Sequence, residues 1–165
     1  MAAEDRLWAP WRMSYIRGEK KPDGCIFCLP PEPDDDEQRF VVHRGEHCFV
    51  ILNAFPYNSG HLMVAPFRHE GSIEALGADE LLELMTLAQR SLAALRDAYR
   101  PQGFNLGINE GEVAGAGYAG HVHLHVVPRW AADSNFMAVT GDTRVLPQSL
   151  EDSYAELRDR FAPAR

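Results

Sequence analysis

The chain has 165 residues and a formal net charge of −8, and 45% of its residues are hydrophobic while 24% are charged. These values are typical of a soluble globular protein, and the length favours a single domain, residues 1–165, that folds without disulfides. The acidic balance without a basic cluster argues against nucleic acid as a partner, and no apolar run in the sequence is long enough to span a membrane.

The first 38 residues contain two segments that are predicted to lack regular structure. Residues 1–24 are predicted to form an extended arm whose apolar side chains, Trp8 and Trp11 among them, dock on the domain or on a partner subunit. A tryptophan stacked on a base is the alternative. Residues 29–38 combine prolines with like charges, which predicts an exposed acidic loop. The N-terminal region lacks the apolar stretch of a signal peptide, and the chain has only three cysteines, so we expect a cytoplasmic protein.

The rest of the pattern predicts an α+β fold with a mainly antiparallel sheet. Five strands are predicted, at residues 40–43, 48–52, 61–67, 104–109 and 121–127. A long helix is predicted over Ala78–Tyr99 and a C-terminal helix over Leu150–Phe161. The long helix has apolar residues at the spacing of one helical face: Leu81, Leu84, Met85, Ala88, Leu92, Leu95 and Tyr99.

The most distinctive segment is residues 121–127, which read His-Val-His-Leu-His-Val-Val. Side chains alternate along a strand, so His121, His123 and His125 are predicted to share one face while the apolar residues between them enter the core. Three imidazoles on one face suit a zinc site. They also suit chemistry on phosphorus, in which one histidine attacks and its neighbours donate hydrogen bonds to phosphate oxygens.

The cysteines suggest a second site. Cys25 and Cys28 have the spacing of a zinc knuckle, which needs two further ligands. His69, just after the third predicted strand, and His121 are the candidates. A plain thiol pair and a redox pair are the alternatives. Cys48 lies among strand-forming residues and is predicted to be a small core side chain.

A glycine-rich stretch, residues 105–120, leads into the histidine strand. Its five glycines permit tight turns and a close approach of the backbone to a ligand. Backbone N–H groups in such a loop can cradle phosphate, and a flexible connection is the alternative interpretation.

Together these segments resemble the histidine triad (HIT) family of nucleotide hydrolases and transferases. The family's mark, His-φ-His-φ-His-φ-φ with φ a hydrophobic residue, is met in full by residues 121–127, and residues 60–66 and 109–111 also match. The resemblance runs from about Cys25 to Arg129. The Cys-x-x-Cys start and the flanking sequence resemble a zinc-bearing bacterial branch that includes a diadenosine tetraphosphate phosphorylase.

The resemblance implies a HIT-like fold and a homodimer, in which the long helix and a sheet edge pair across a twofold axis. It implies an enzyme that cleaves at the α-phosphate of dinucleoside polyphosphates or related adenine nucleotide conjugates. His123 would be the nucleophile, and water or inorganic phosphate would resolve the nucleotidyl-histidine. His125 would donate to the phosphate oxygens, and His61 would support the histidines. A nucleotide-binding module of low turnover and a hydrolase with zinc at the histidines are the alternatives.

The resemblance also implies which residues surround the substrate. Asn53 matches the ribose-contacting position, and Asn109 matches a polar residue of the phosphate site. The chain departs from the family where Gly-Gln-Ser or Gly-Gln-Thr is common, so leaving-group contacts are expected from the backbone of Gly115 and Gly117 or from Tyr118.

For the related branch, the resemblance implies a structural zinc ion held by two cysteines and two histidines. The matching residues here are Cys25, Cys28, His69 and His121. No catalytic metal and no organic cofactor are implied.

Overall fold

The computed structural model describes residues 24–131, residue 133 and residues 148–161. The predicted arm over residues 1–24 lies outside the described residues, apart from Gly24. The described chain forms a five-stranded sheet in the order β1-β2-β3-β5-β4, with every neighbouring pair antiparallel. The strands are β1 (Val41–Arg44), β2 (Cys48–Leu52), β3 (Leu62–Pro66), β4 (Gly103–Ile108) and β5 (Leu124–Arg129). The predicted α+β class and antiparallel sheet are therefore confirmed.

The helices of the described residues are α1 (Asp36–Arg39), α2 (Ala78–Tyr99) and α3 (Leu150–Phe161). Short 3-10 turns lie at Pro33–Asp35, Ile73–Ala75 and Glu112–Ala114. The predicted bounds of the two long helices are confirmed. Among the described helices, none is both long and apolar enough to cross a bilayer.

Strands β2 and β3 are buried along their whole length, and side chains alternate between the two faces of a strand. The sheet is therefore covered on both faces. On one face, Val50 packs in the main core with Leu84 of α2 and Leu157 of α3. On the other face, Phe49 belongs to a smaller cluster that Phe27 covers. The segment that carries the Cys-x-x-Cys pattern is therefore held against the face of the sheet opposite the helices.

The predicted apolar face of α2 is partly wrong. Met85 is 51% exposed, whereas Leu87 and Ser91, which the prediction omits, are buried. The Ser91 hydroxyl donates a hydrogen bond of 2.8 Å to the carbonyl oxygen of Leu87, and this bond satisfies a polar group inside the core. The buried stripe is therefore centred closer to Leu87 than the hydrophobic pattern alone indicates.

The prediction that residues 29–38 lack regular structure is wrong for residues 33–38 and correct for residues 29–32, and most of the segment is exposed as predicted. Pro33 begins a 3-10 turn, where its missing N–H group costs no hydrogen bond, and α1 follows directly. Repulsion between the acidic side chains is relieved by Arg44. Its guanidinium contacts both carboxylate oxygens of Asp36 at 2.7–3.1 Å and donates to the carbonyl oxygen of Pro30 at 2.9 Å.

Strand ends agree with the predicted ones within one residue except at the histidine motif. The ladders that β5 forms with β3 and β4 start at Leu124, so residues 121–123 lie outside the sheet pairing. A backbone bond of 2.6 Å from the Val122 N–H group to the carbonyl oxygen of Glu70 holds this approach to the strand. Val122 still enters the main core beside Leu124 and Val126, as predicted.

Candidate active site and metal centre

Four histidines meet around the start of β5, and all are at least partly buried. His61 and His121 are fully buried and His123 is 4% exposed, whereas His125 is only half-buried. The imidazole centroids of His123 and His125 lie 4.9 Å apart, and those of His61 and His125 lie 5.1 Å apart. The structure thus brings together the three residues that the sequence predicts as catalytic, His61, His123 and His125.

The protonation of His123 is determined by the backbone. Its Nδ1 atom lies 2.8 Å from the carbonyl oxygen of His121, and a carbonyl oxygen can only accept a hydrogen bond. Nδ1 must therefore carry the proton, and the lone pair of the neutral ring is left on Nε2. Burial lowers the pKa of His123 and so favours the neutral ring. An unprotonated imidazole nitrogen is the form that nucleophilic attack requires.

A chain of hydrogen bonds determines the protonation of the other two histidines. The backbone N–H group of Tyr57 donates to Nδ1 of His61 over 3.2 Å, so Nε2 of the neutral ring carries the proton. This Nε2 lies 3.0 Å from Nδ1 of His125 and donates to it. Nε2 of His125 must then carry a proton as well. The chain therefore presents His125 as an N–H donor without any charge.

Burial keeps both of these histidines neutral. It lowers the pKa of His61 to about 3, with a smaller contribution from the neighbouring His125 and His123. It also lowers the pKa of His125 to about 4, with a smaller contribution from His123. The order of donors and acceptors described above is therefore maintained near neutral pH.

Asn53 lies directly after β2 and next to His61. Its side-chain nitrogen is 3.3 Å from Nδ1 of His61, and its side-chain oxygen accepts a hydrogen bond of 2.9 Å from the backbone N–H group of Phe55. The predicted ribose-contacting residue is therefore part of the histidine site and also orders the turn that follows β2.

The glycine-rich loop lies between β4 and the histidines. Gly111 and Gly115 have φ angles of 83° and 90°, a region that glycine adopts without strain. The N–H group of Gly115 donates to the carbonyl oxygen of Glu112 at 3.0 Å, so this amide serves the turn itself. A Cβ atom at Gly115 would lie 3.8 Å from the side-chain nitrogen of Asn109. The loop thus places Gly115 next to the side chain of Asn109, and the predicted roles of these residues at the phosphate stay predictions.

The two cysteines and two histidines of the predicted zinc site form one cluster. The ligand atoms of Cys25, Cys28, His69 and His121 all lie within 4.8 Å of one another. The Sγ atom of Cys25 is 3.4 Å from Nδ1 of His121, and Sγ of Cys28 is 3.2 Å from Nδ1 of His69. Two ligands of a tetrahedral zinc ion are about 3.6 Å apart, so this arrangement fits zinc.

The protonation of His121 also fits a metal ligand. Its Nε2 atom lies 2.8 Å from the carbonyl oxygen of Pro66, so Nε2 donates and the lone pair of Nδ1 points into the cluster. Cys48 lies apart, fully buried in the main core, and burial raises the pKa of its thiol to about 12. The prediction that Cys48 is a core side chain is therefore confirmed.

Two aromatic residues of the site are absent from the sequence prediction. The ring of Phe27 stacks on His123 with centroids 4.5 Å apart, and the ring of Tyr57 lies 4.7 Å from that of His61. Phe27 stands between the two cysteines, and Tyr57 stands in the turn before Gly60. The position beside predicted ligands is the only signal that could have indicated Phe27.

A family model and several known proteins match this chain. The model of the HIT domain family matches residues 35–132, more than half of the chain. The chain belongs to the HIT family. This HIT protein is 40% identical over 164 residues to the AP-4-A phosphorylase of Mycobacterium tuberculosis, a match that covers 95% of this chain and 84% of the relative. It is 31% identical over 92 residues to the bis(5'-adenosyl)-triphosphatase of Dictyostelium discoideum, covering 56% and 61% of the two chains.

Solved structures support the same assignment. The HIT chain matches a zinc-bound histidine triad family protein from Mycobacterium smegmatis with a TM-score of 0.60 and 26% identity. The match covers 73% of this chain and 82% of that one. The predicted HIT-like fold is therefore confirmed.

Proposed function

We propose that this HIT protein cleaves dinucleoside polyphosphates at the α-phosphate through a covalent nucleotidyl-histidine on His123. The specific activity that we propose is that of a diadenosine tetraphosphate phosphorylase or hydrolase. The observation that carries the proposal is the hydrogen bond from Nδ1 of His123 to the carbonyl oxygen of His121, which leaves Nε2 with a lone pair. The relatives named AP-4-A phosphorylase and bis(5'-adenosyl)-triphosphatase support this class of substrate.

The reaction proceeds in two displacements. First, the lone pair of His123 Nε2 forms a bond to the α-phosphorus while the bond from phosphorus to the leaving polyphosphate oxygen breaks. With diadenosine tetraphosphate the leaving group is ATP. An oxygen of water or of inorganic phosphate then forms a new bond to phosphorus while the N–P bond breaks and returns its electron pair to Nε2. When water attacks, its proton is released to solvent. Water yields AMP and inorganic phosphate yields ADP.

The neighbouring groups bind and orient the nucleotide. The Nε2–H group of His125 donates to a non-bridging oxygen of the α-phosphate, where negative charge develops. His61 positions that donor through its hydrogen bond of 3.0 Å. The residues assigned to substrate contacts are Asn53, Asn109, Gly117 and Tyr118. The N–H group of Gly115, which the sequence also predicts as a contact, donates to the carbonyl oxygen of Glu112 instead, so Gly115 is assigned a role in the shape of the loop.

Catalytic zinc at the histidines is disfavoured by the hydrogen bonds described above. Both nitrogens of His61 and Nδ1 of His125 are engaged in hydrogen bonds, and Nε2 of His125 carries its proton. Nε2 of His123 is then the one nitrogen of these three neutral rings with a lone pair to offer, fewer than the three protein ligands of a typical catalytic zinc site. Zinc is proposed instead at Cys25, Cys28, His69 and His121. There it would fasten the segment around Phe27 to the start of β5 and would take no part in bond breaking.

A homodimer is proposed on the basis of the sheet edge. Strand β4 ends the sheet, and Leu106 on it is 43% exposed, so a second copy can extend the sheet by pairing with this edge. Sedimentation at several protein concentrations tests this proposal. A monomer over the whole range would contradict it.

The decisive experiment incubates the protein with diadenosine tetraphosphate, with and without inorganic phosphate. We expect an adenylyl adduct on His123 by intact mass, ADP as a product if phosphate is the acceptor, and AMP if water is. The His123→Ala variant should form no adduct. His43→Ala is the matched control. His43 lies outside the site and stacks on Phe161 with ring centroids 5.5 Å apart, so its replacement should not change turnover. Full turnover by His123→Ala would refute the mechanism, and tight nucleotide binding without turnover by the wild type would indicate a binding module.

A further inference from the structure

We propose that Phe27 is a positioning residue for the nucleophile: its ring holds the plane of the His123 imidazole so that Nε2 faces the substrate. The rings stack with centroids 4.5 Å apart and planes 26° apart. Phe27 is 1% exposed, so the effect of its ring on the reaction passes through the His123 imidazole that it contacts. This inference rests on the proposed function because it assigns His123 as the attacking residue.

The hydrogen bond at Nδ1 alone does not fix the imidazole. A ring that is held at one nitrogen can still turn about the line of that bond, and such a turn moves Nε2 away from the attack direction. Phe27 covers one face of the ring, and His125 approaches at an interplanar angle of 71° with centroids 4.9 Å apart. Together with the hydrogen bond to the carbonyl oxygen of His121, these contacts restrict the rotation of the imidazole. Displacements of about 1 Å at a reacting atom can cost two orders of magnitude in rate.

Phe27 is itself held firmly enough to serve this purpose. It lies in a turn closed by a backbone hydrogen bond of 3.1 Å from the N–H group of Cys28 to the carbonyl oxygen of Cys25. Its ring also meets Tyr118 edge-on at 6.0 Å and lies 5.3 Å from the ring of His121. His123 is therefore connected to the candidate ligand cluster by two contacts. One is the stacking on Phe27, which lies between Cys25 and Cys28, and the other is the hydrogen bond to the carbonyl oxygen of His121.

The test compares Phe27→Leu, which keeps an apolar side chain but removes the ring, with Phe27→Tyr, which keeps the ring. Phe49→Leu is the matched control, because Phe49 is buried in the same cluster and packs on Phe67 at 5.2 Å. Phe27→Leu should lower the rate of adduct formation and kcat by about 3- to 10-fold, the range expected from the loss of one aromatic pair. We expect KM to stay within about twofold, as for loss of an interaction made in the transition state. Phe27→Tyr should recover most of the rate, and Phe49→Leu should keep it.

A spectroscopic measurement keeps the proposal testable without turnover. Protons of the His123 ring lie over the face of Phe27, so their NMR signals should be shifted upfield in the wild type and in Phe49→Leu. The shift should disappear in Phe27→Leu. Zinc content and thermal unfolding of each variant show whether the Cys-x-x-Cys segment is intact.

The outcomes separate this proposal from the proposed function. Turnover by the wild type without a His123 adduct refutes the proposed function, whereas the NMR shift still reports the stacking. If the adduct forms but Phe27→Leu forms it as fast as Phe49→Leu, Phe27 is only a packing residue and the positioning proposal is wrong. Absence of the upfield shift in the wild type also overturns it, even if Phe27→Leu fails to fold.

Discussion

Replacing His61 with alanine should slow adduct formation without removing the nucleophile. The His61 ring passes the direction of hydrogen bonding from the Tyr57 backbone N–H group to His125, over distances of 3.2 and 3.0 Å. Without it, the neutral His125 ring is free to place its proton on Nδ1. A fraction of the molecules then faces the phosphate with a lone pair on Nε2, which repels the phosphate oxygen.

The size of the effect follows from the number of contacts that are lost. One net hydrogen bond contributes about 0.5–1.5 kcal/mol, and some orientation of His125 is lost with it, so the rate should fall by about 5- to 30-fold. Stability should fall more, because His61 is fully buried and its removal leaves a cavity and deletes the acceptor of the Tyr57 N–H hydrogen bond. The expected loss is about 2–4 kcal/mol, or a decrease in Tm of roughly 5–15 °C.

Single-turnover quench experiments followed by intact mass measure the rate on folded protein. His61→Gln is the conservative variant, since its amide nitrogen can take the place of Nε2 and donate to His125, and its rate should stay within about threefold of the wild type. His43→Ala removes a half-buried histidine outside the site and should lower Tm but not the rate. A wild-type rate for His61→Ala would refute the role of the hydrogen-bond chain. A loss as complete as that of His123→Ala would show that His61 does more than orient His125.

Two further results are expected. Stability should fall on acidification, because the unfolded chain binds protons below about pH 6.5 while His61 and His125, with pKa values of about 3 and 4, stay neutral in the fold. The free energy of unfolding should therefore decrease from pH 6.5 to pH 4, by at most about 1.4 kcal/mol per pH unit for each histidine, and urea titrations that give a flat profile would contradict this. Cys25→Ser should lower both the bound zinc per chain and Tm, whereas Cys48→Ser should retain the zinc; equal zinc in both variants, measured by emission spectrometry, would exclude the proposed ligand set.

Features that depend on local periodicity could be predicted from the sequence. The alternation of apolar residues around the histidines predicts correctly that Val122, Leu124 and Val126 enter the main core. The four predicted ligands come together, since the Cys-x-x-Cys spacing and the histidine chemistry already restrict the choice. Alternating histidines and a Cys-x-x-Cys pair are informative because these residue types at these spacings have few other roles in proteins.

Features that depend on distant partners could not be predicted. Arg44 pairs with Asp36 at the start of the helical turn α1, whereas residues 29–38 by themselves show only prolines and like charges that repel one another. In the sequence Phe27 is not distinguished from other apolar residues. Its contact with His123, which lies 96 residues further along the chain, exists only in the folded structure. Likewise, the burial of Ser91 depends on a bond to its own helix, which hydrophobic spacing does not reveal.

His121 takes part in two sites through different atoms, its ring in the ligand cluster and its carbonyl oxygen in the bond to His123. Every amino acid has a carbonyl group, so no substitution at position 121 can delete the acceptor. The acceptor is available because the chain joins the β5 ladder only at Leu124. The site should therefore tolerate exchange of the ligand at 121, by cysteine for example, far better than the insertion or deletion of a single residue between positions 121 and 124.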